Sequence, residues 1–425
     1  MNILLNKISN SVYGTVAIQG SKSISNRLLI MRELSGNLCT IENLSQSDDT
    51  QRLLFYINMI NTCGKSGILM ILDANNAGTV SRFLTAYVVY REGTWLVTGN
   101  LRMKQRPIKG LVDGLRLLGA DITYTDKEGA IPLLIKGREI RGGSIWVDVS
   151  ESSQFISAIM MIGPYLEQGL KIRFKGDPVS LPYIKMTQKL MQKFGANVEL
   201  NEGGVVILHG KYQFHQCTVE SDWSSSSYWY ETVALSDHAE IFIPGLYKNS
   251  LQGDSVLAEV YEQLGVTTLY ENNGVKLIKT GNIVKKFSFD FIGCPDIVPA
   301  VMATCAALGI KSVFRNIEHL AFKESNRIIA LSQELKKIGA SLKKDKNSYL
   351  LTPVANVPYN NLEFSTYGDH RIAMCLAPLV LRYNKVEIYN PDVVKKSYPE
   401  FWDDFKKLKF ADLKNDNKEN NLTLA

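Results

Sequence analysis

The chain carries few of the residues that mark metal, redox or membrane proteins. Its six cysteines (Cys39, Cys63, Cys217, Cys294, Cys305 and Cys375) stand far apart with no C-x-x-C pair. That spacing excludes a disulfide framework and a thiolate zinc site. The five histidines fall at no metal-ligand spacing, so no metal and no cofactor are expected. Basic residues form pairs such as Lys285-Lys286 and Lys343-Lys344, never a stripe interleaved with aromatics. Nucleic acid is therefore not an expected partner. The longest nearly apolar run, 297–310, is too short to cross a bilayer and contains Pro299, so a buried core helix is expected and no membrane. Residues 1–7 lack a signal-peptide pattern, and a cytoplasmic protein is expected.

What is present is ordinary in bulk and patterned in detail. The 425 residues are 45% apolar and 21% charged, with a net charge of +6. That length suits two domains of about 200 residues each. The scattered positive excess suits pockets for small anions. Four segments, 111–137, 190–210, 260–281 and 334–353, repeat one plan of amphipathic helix, glycine pivot and two short strands about a polar turn. The pivots are Gly119, Gly195, Gly265 and Gly339, at separations of 76, 70 and 74 residues. A glycine after a helix supplies a left-handed cap. A fainter copy at 49–72 pivots on Gly64. The unit is too long for a solenoid repeat and reads as a βαβαββ module in an α/β protein. The tail, 411–425, is rich in Asn, Lys and Asp and is expected to be disordered.

Polar groups gather where apolar helices begin. The run Gly20-Ser21-Lys22-Ser23-Ile24-Ser25-Asn26-Arg27 precedes a helix over 28–34, and Asn76 to Arg82, with Gly78, precedes another. Arg102, Lys104 and Arg106 crowd a loop broken by Pro107. Ser152, Ser153 and Gln154 precede a helix over 156–161, and Ser180 and Tyr183 a further one. Lys323, Glu324 and Arg327 open a helix over 328–338, Asp369, His370 and Arg371 one over 372–381, and Lys396 follows in Lys395-Lys396-Ser397-Tyr398-Pro399. Each alone reads equally as a capped helix or a solvated ion cluster. Together, helix N-termini and cations make a positive pocket wherever they converge.

In this order the motifs G-S-K-S-I-S-N-R, N-A-G-T, R-M-K-Q-R-P, S-S-Q-F, K-E-S-N-R, G-D-H-R-I-A-M and K-S-Y-P resemble the EPSP synthase family of enolpyruvyl transferases from Gly20 to Phe405. The resemblance implies two similar domains of three βαβαββ units each, an inverse α/β barrel arrangement. It places one domain at 1–20 plus 222–425, the other at 21–221, and the active site in the cleft between them. It implies phosphoenolpyruvate and shikimate 3-phosphate as substrates, and a monomer. It matches Lys22, Arg106 and Lys396 to the phosphate of phosphoenolpyruvate, Arg327 and Arg371 to its carboxylate, and Gly78 and Gln154 to the same ligand. It matches Ser23, Arg27, Ser152, Ser153, Gln154, Ser180, Tyr183, Asp296 and Lys323 to shikimate 3-phosphate, and Asp296, Glu324 and Lys22 to acid–base work.

Two departures bear on these expectations. The stretch from Asp49 to Asn76 is short for the family, which trims one module of the second domain. His319 stands where many relatives carry Asn, and is expected to serve as a donor with pH dependence. Gly78 leaves room at the phosphoenolpyruvate site, which predicts inhibition by glyphosate. Three rivals share features. A UDP-N-acetylglucosamine enolpyruvyl transferase would carry a cysteine in a loop between Cys63 and Cys217, where none occurs. An RNA 3′-phosphate cyclase-like enzyme would need a nucleic-acid surface. A sugar-phosphate binding protein would not need Asp296, Glu324 and Lys22 together.

Overall fold

The computed structural model describes residues 2–63, 68–176, 178–354 and 362–416. The chain forms two compact units, one from Met1–Ile18, Ser221–Ser250 and Asp254–Ala425, the other from Gln19–Glu220 and Leu251–Gly253. Each has its own apolar core.

One module recurs. In the second unit the strand Leu69–Asp73, helix Gly78–Val89, strand Gly93–Thr98, helix Lys109–Leu117 and hairpin Asp121–Tyr124/Leu133–Gly137 form it once. The first two strands pair in parallel because a helix crosses over between them; the hairpin then adds antiparallel. The strand Gly143–Asp148, helix Ser153–Ile162, strand Leu170–Lys175, helix Leu181–Lys193 and hairpin Val198–Asn201/Gly204–Ile207 repeat it. The third copy is partial. Helices Lys22–Ser35 and Asp48–Cys63 flank the strand Ile41–Glu42, whose parallel partner is Cys217–Thr218. Among the described residues this sheet has two strands. Gly64, pivot of the fainter copy, lies outside the described residues.

The first unit holds three full copies. One uses Ser11–Thr15, His238–Pro244 and the hairpin Leu264–Glu271/Gly274–Ile283, with helices Trp223–Leu235 and Leu257–Glu262. The next uses Lys286–Asp290, Lys311–Arg315 and Ala340–Asp345/Ser348–Pro353, with helices Val298–Ala307 and Arg327–Lys336. The last uses Leu362–Phe364, Lys385–Tyr389, Asn2–Lys7 and Ala411–Asp416. Here the expectation of a disordered tail is corrected for Ala411–Asp416. That segment is a strand paired along Asn2–Lys7, with Leu413 opposite Leu5. Its polar side chains gave no apolar signal, but strand pairing uses backbone groups that every residue supplies. Residues 417–425 lie outside the described set.

The four pivots all have positive φ, from 78° at Gly339 to 96° at Gly119. After Gly119 and Gly195, the next amide reaches back to close the helix end, as Ala120 does to Leu115 at 3.1 Å. Gly265 differs, lying inside a strand at a shift of register. The apolar run at 297–310 is the helix Val298–Ala307, with every residue from Val298 to Ala306 buried. Pro299 sits in its first turn, where no backbone donor is needed. No helix among the described residues is long and apolar enough to cross a membrane.

Candidate active site

The helices of interest begin earlier than their apolar periodicity indicates: at Lys22 rather than Leu28, at Ser153 rather than Ile156, at His370 rather than Ile372. Polar first turns carry no apolar signal, yet they are where side chains and free amides meet. Lys22, Ser23 and Arg27 are thus helical residues of one helix.

In the second unit, three clusters gather residues predicted from sequence. Arg27 is buried and donates to Thr187 Oγ1 at 2.7 Å, to the Ser23 carbonyl at 2.9 Å, to Ser157 Oγ at 3.0 Å and to the Tyr183 carbonyl at 3.4 Å. Every one of those acceptors is neutral. Burial accordingly lowers the guanidinium to about 10. A buried cation surrounded by dipoles rather than carboxylates favours an incoming anion. Gly78 marks the second cluster. A Cβ there would stand 2.6 Å from Arg82 Nη1 and 2.7 Å from Arg106 Nη2. Arg82 donates to Gln154 Oε1 at 2.5 Å, and Gln154 Nε2 to Thr79 Oγ1 at 3.1 Å. Ser152 caps the Ser153–Ile162 helix by accepting from the Gln154 amide at 3.3 Å. Ser153 is buried in its first turn. In the third cluster, Lys22 Nζ lies 3.0 Å from Asp49 Oδ2. Ser180 precedes its helix with a left-handed φ of 59°. Lys22, Arg27, Arg82 and Arg106 all belong to the second unit, and a convergence of such cations suits anionic ligands.

In the first unit the charges are paired. Arg327 is buried and holds three carboxylates: Asp369 at 2.8 Å, Glu324 at 2.8 Å and Asp296 at 3.2 Å. Burial alone would weaken its charge, but Asp369, Glu324 and Asp296 outweigh it and hold the guanidinium well above its ordinary value. Arg371 reaches Asp296 Oδ2 at 2.8 Å, the Asp296 carbonyl at 3.1 Å and Tyr228 Oη at 3.4 Å. Lys323 lies 3.8 Å from Asp296, and Lys396 3.8 Å from Glu324. Burial pushes the Asp296 carboxyl up, and Arg371, Lys323 and Arg327 more than reverse this, so it stays ionised far below the carboxylate range. Asp369 joins the cluster while capping the helix it precedes, through the Arg371 amide at 3.0 Å.

His319 is mostly buried, and its Nε2 has no partner among the described residues. Burial first, then Lys323 and Arg327, lower its imidazole to about 3. Burial and the two cations thus favour the neutral imidazole, against the expected pH dependence. The sequence assigned no role to Asp49, Arg82 or Asp369, although Arg82 and Asp369 stand in the polar runs at helix starts. Arg82 stands one helical turn after Gly78, and Asp369 at a helix cap, so both carried a local signal. Asp49 reaches Lys22 through a tertiary contact alone. Among the described residues no group of His, Cys, Asp and Glu is arranged to hold a metal.

The chain is similar to known proteins along nearly its whole length. Residues 6–405 match the family described as EPSP synthase (3-phosphoshikimate 1-carboxyvinyltransferase). A 3-phosphoshikimate 1-carboxyvinyltransferase of Bacteroides fragilis is 42% identical over 404 residues, 95% of this chain and 97% of that protein. One from Pasteurella multocida is 34% identical, covering 96% of this chain and 98% of its own. An EPSP synthase structure from Acinetobacter baumannii superposes with a TM-score of 0.76 over 98% of this chain and 100% of that one, at 20% identity.

Proposed function

The chain belongs to the EPSP synthase family, and from that premise we propose that it transfers the enolpyruvyl group of phosphoenolpyruvate to the 5-hydroxyl of shikimate 3-phosphate. The products are 5-enolpyruvylshikimate 3-phosphate and phosphate, a step of the shikimate route to chorismate. The observation that carries the site assignment is Asp296, held by Arg371, Arg327 and Lys323.

In this reading the two half-sites serve one substrate pair. Lys22, Arg106 and Lys396 take the phosphate of phosphoenolpyruvate, Arg327 and Arg371 its carboxylate, and Gly78 and Gln154 line the same ligand. Ser23, Arg27, Ser152, Ser153, Gln154, Ser180, Tyr183, His319 and Lys323 take shikimate 3-phosphate. His319 acts as a neutral donor. Asp296 is a weak base while the two guanidinium groups grip it. A substrate carboxylate that takes over Arg327 and Arg371 releases that grip and raises its basicity. Asp296 then takes the proton of the 5-hydroxyl, whose oxygen bonds to the enol carbon. The methylene carbon gains a proton from Glu324 or Lys22, giving a tetrahedral intermediate. Loss of a methyl proton and of phosphate restores the double bond. The cations stabilise the charge gathered on the departing phosphate. We further propose a cytoplasmic monomer that glyphosate inhibits at the phosphoenolpyruvate site; turnover unaffected by millimolar glyphosate overturns that point.

The test is phosphate release from phosphoenolpyruvate with shikimate 3-phosphate, and with UDP-N-acetylglucosamine in parallel. Release with shikimate 3-phosphate alone supports the reading. Release only with the nucleotide sugar overturns the acceptor, and release with neither favours a binding protein.

A further inference from the structure

The loop between the strand Leu362–Phe364 and the helix His370–Leu376 delivers Asp369 and Arg371, yet its backbone takes a shape that one of its residues disfavours. The Asp369 amide donates to the Thr366 carbonyl at 2.8 Å and closes a four-residue turn. Both central residues have positive φ, 55° at Tyr367 and 66° at Gly368. Turns with two such residues favour Gly, Asn or Asp. Gly368 meets that demand. Tyr367 is a bulky side chain held in the left-handed region, which persists only where the surroundings impose it.

The helix Arg327–Lys336 imposes it. The Tyr367 hydroxyl donates to Glu334 Oε1 at 2.5 Å, with Gln333 Oε1 2.8 Å away. Glu334 Oε2 accepts from the Ser365 amide at 3.1 Å and from Lys337 Nζ at 2.6 Å. Lys337 also donates to the Glu363 carbonyl at 2.7 Å, one residue before the end of the strand. Glu334 is 1% exposed and Tyr367 40%, so the carboxyl group is the fixed partner of the two. Arg327 and Glu334 stand seven residues apart on one helix face, about 10 Å along its axis. Arg327 Nε holds Asp369 at 2.8 Å, and Glu334 holds Ser365 and Tyr367. One helix face therefore clamps the loop at both ends. Asp369 also accepts the Arg371 amide at 3.0 Å, so a shift of the turn moves both guanidinium groups.

We propose that Glu334 and Tyr367 are positioning residues for the transfer reaction: their hydrogen bond locks the turn that sets Arg327 and Arg371 for the carboxylate of phosphoenolpyruvate. The lock acts on the part of Arg327 that the reaction leaves in place. Nε stays on Asp369, while Nη1, which reaches Asp296, is the atom a substrate carboxylate takes over. The inference rests on the proposed role of Arg327 and Arg371 at that carboxylate.

The test is phosphate release by Tyr367→Phe, Tyr367→Gly, Glu334→Ala and Arg371→Gln, with each substrate varied in turn. Phe keeps the ring and loses the hydroxyl. Gly loses both, and adopts positive φ without help. Tyr367→Phe and Glu334→Ala are expected to raise KM for phosphoenolpyruvate about tenfold and to leave KM for shikimate 3-phosphate within about twofold, the effect of misplaced groups on one ligand. Tyr367→Gly is expected to stay nearer to wild type than Tyr367→Phe. A residue that served only packing would give the opposite order, because Gly removes more contact than Phe. An unchanged KM in Tyr367→Phe, or a larger loss in Tyr367→Gly, overturns the inference, and does so even if Glu334→Ala fails to fold. An unchanged KM for phosphoenolpyruvate in Arg371→Gln overturns instead the role of Arg371, and the inference with it. No release by the wild-type protein overturns the proposed reaction itself.

Discussion

Gly78 is defined by what cannot stand beside it. A methyl group there would meet two guanidinium groups closer than 3.0 Å. Gly78→Ala is therefore expected to push Arg82 and Arg106 aside and raise KM for phosphoenolpyruvate several-fold, with the melting temperature unchanged. Steady-state kinetics and a thermal melt check both halves. Glu231 presents the opposite case, a residue with no evident use. It is fully buried on the Trp223–Leu235 helix, and neither carboxyl oxygen has a hydrogen-bond partner among the described residues. Burial holds its carboxyl well above the ordinary range. A raised folded value means that its contribution to stability is fully present at low pH and lost as pH rises through the folded value. Glu231→Leu should therefore stabilise the protein at pH 7 by about 1–3 kcal/mol. The gain should shrink toward pH 4, where the unfolded carboxyl is protonated too; urea unfolding at the two pH values measures it.

At the scale of elements, a short helix and a terminal strand decide most. The helix His370–Leu376 is too short to be stable by propensity. Asp369 fixes its start by capping it, and fixes Arg327 with the same carboxylate. Asp369→Ala should cost about 3 kcal/mol or more, because a buried guanidinium loses a partner. Replacing Arg327 by Met in the same chain should recover part of that stability and none of the activity, as unfolding and phosphate-release assays will show. The strand Ala411–Asp416 covers the edge of Asn2–Lys7. A chain ending at Phe410 should expose that edge and associate. Light scattering of the truncated protein compared with the full chain tests this, and a monodisperse truncation would refute it.

For the whole molecule, the half-sites differ in charge balance. Arg27 of the second unit donates to neutral acceptors, whereas Arg327 of the first unit is held by three carboxylates. Anion binding should therefore stabilise the protein. Shikimate 3-phosphate at one hundred times its Kd is expected to add about 2.7 kcal/mol. A calorimetric melt with and without the ligand reads this, and an unchanged melt would remove Arg27 from the phosphate site.

The sequence by itself determined the module and the polar helix starts. The pivots at Gly119, Gly195 and Gly339, the buried helix at 298–307 and the polar first turns at Lys22, Ser153 and Arg327 are all local features. Periodicity, caps and turn chemistry write such features into neighbouring residues. Tertiary structure alone decided the rest. Ala411–Asp416 is a strand because Asn2–Lys7, some four hundred residues away, offers it backbone partners. Asp49 pairs with Lys22 across 27 positions, and Arg327 joins Asp296 and Asp369 across 31 and 42. The directions in which folding moves the Asp296 carboxyl and the His319 imidazole follow from burial and from charges brought near in space. No local pattern encodes them, because desolvation and Coulomb terms depend on distance in space rather than along the chain.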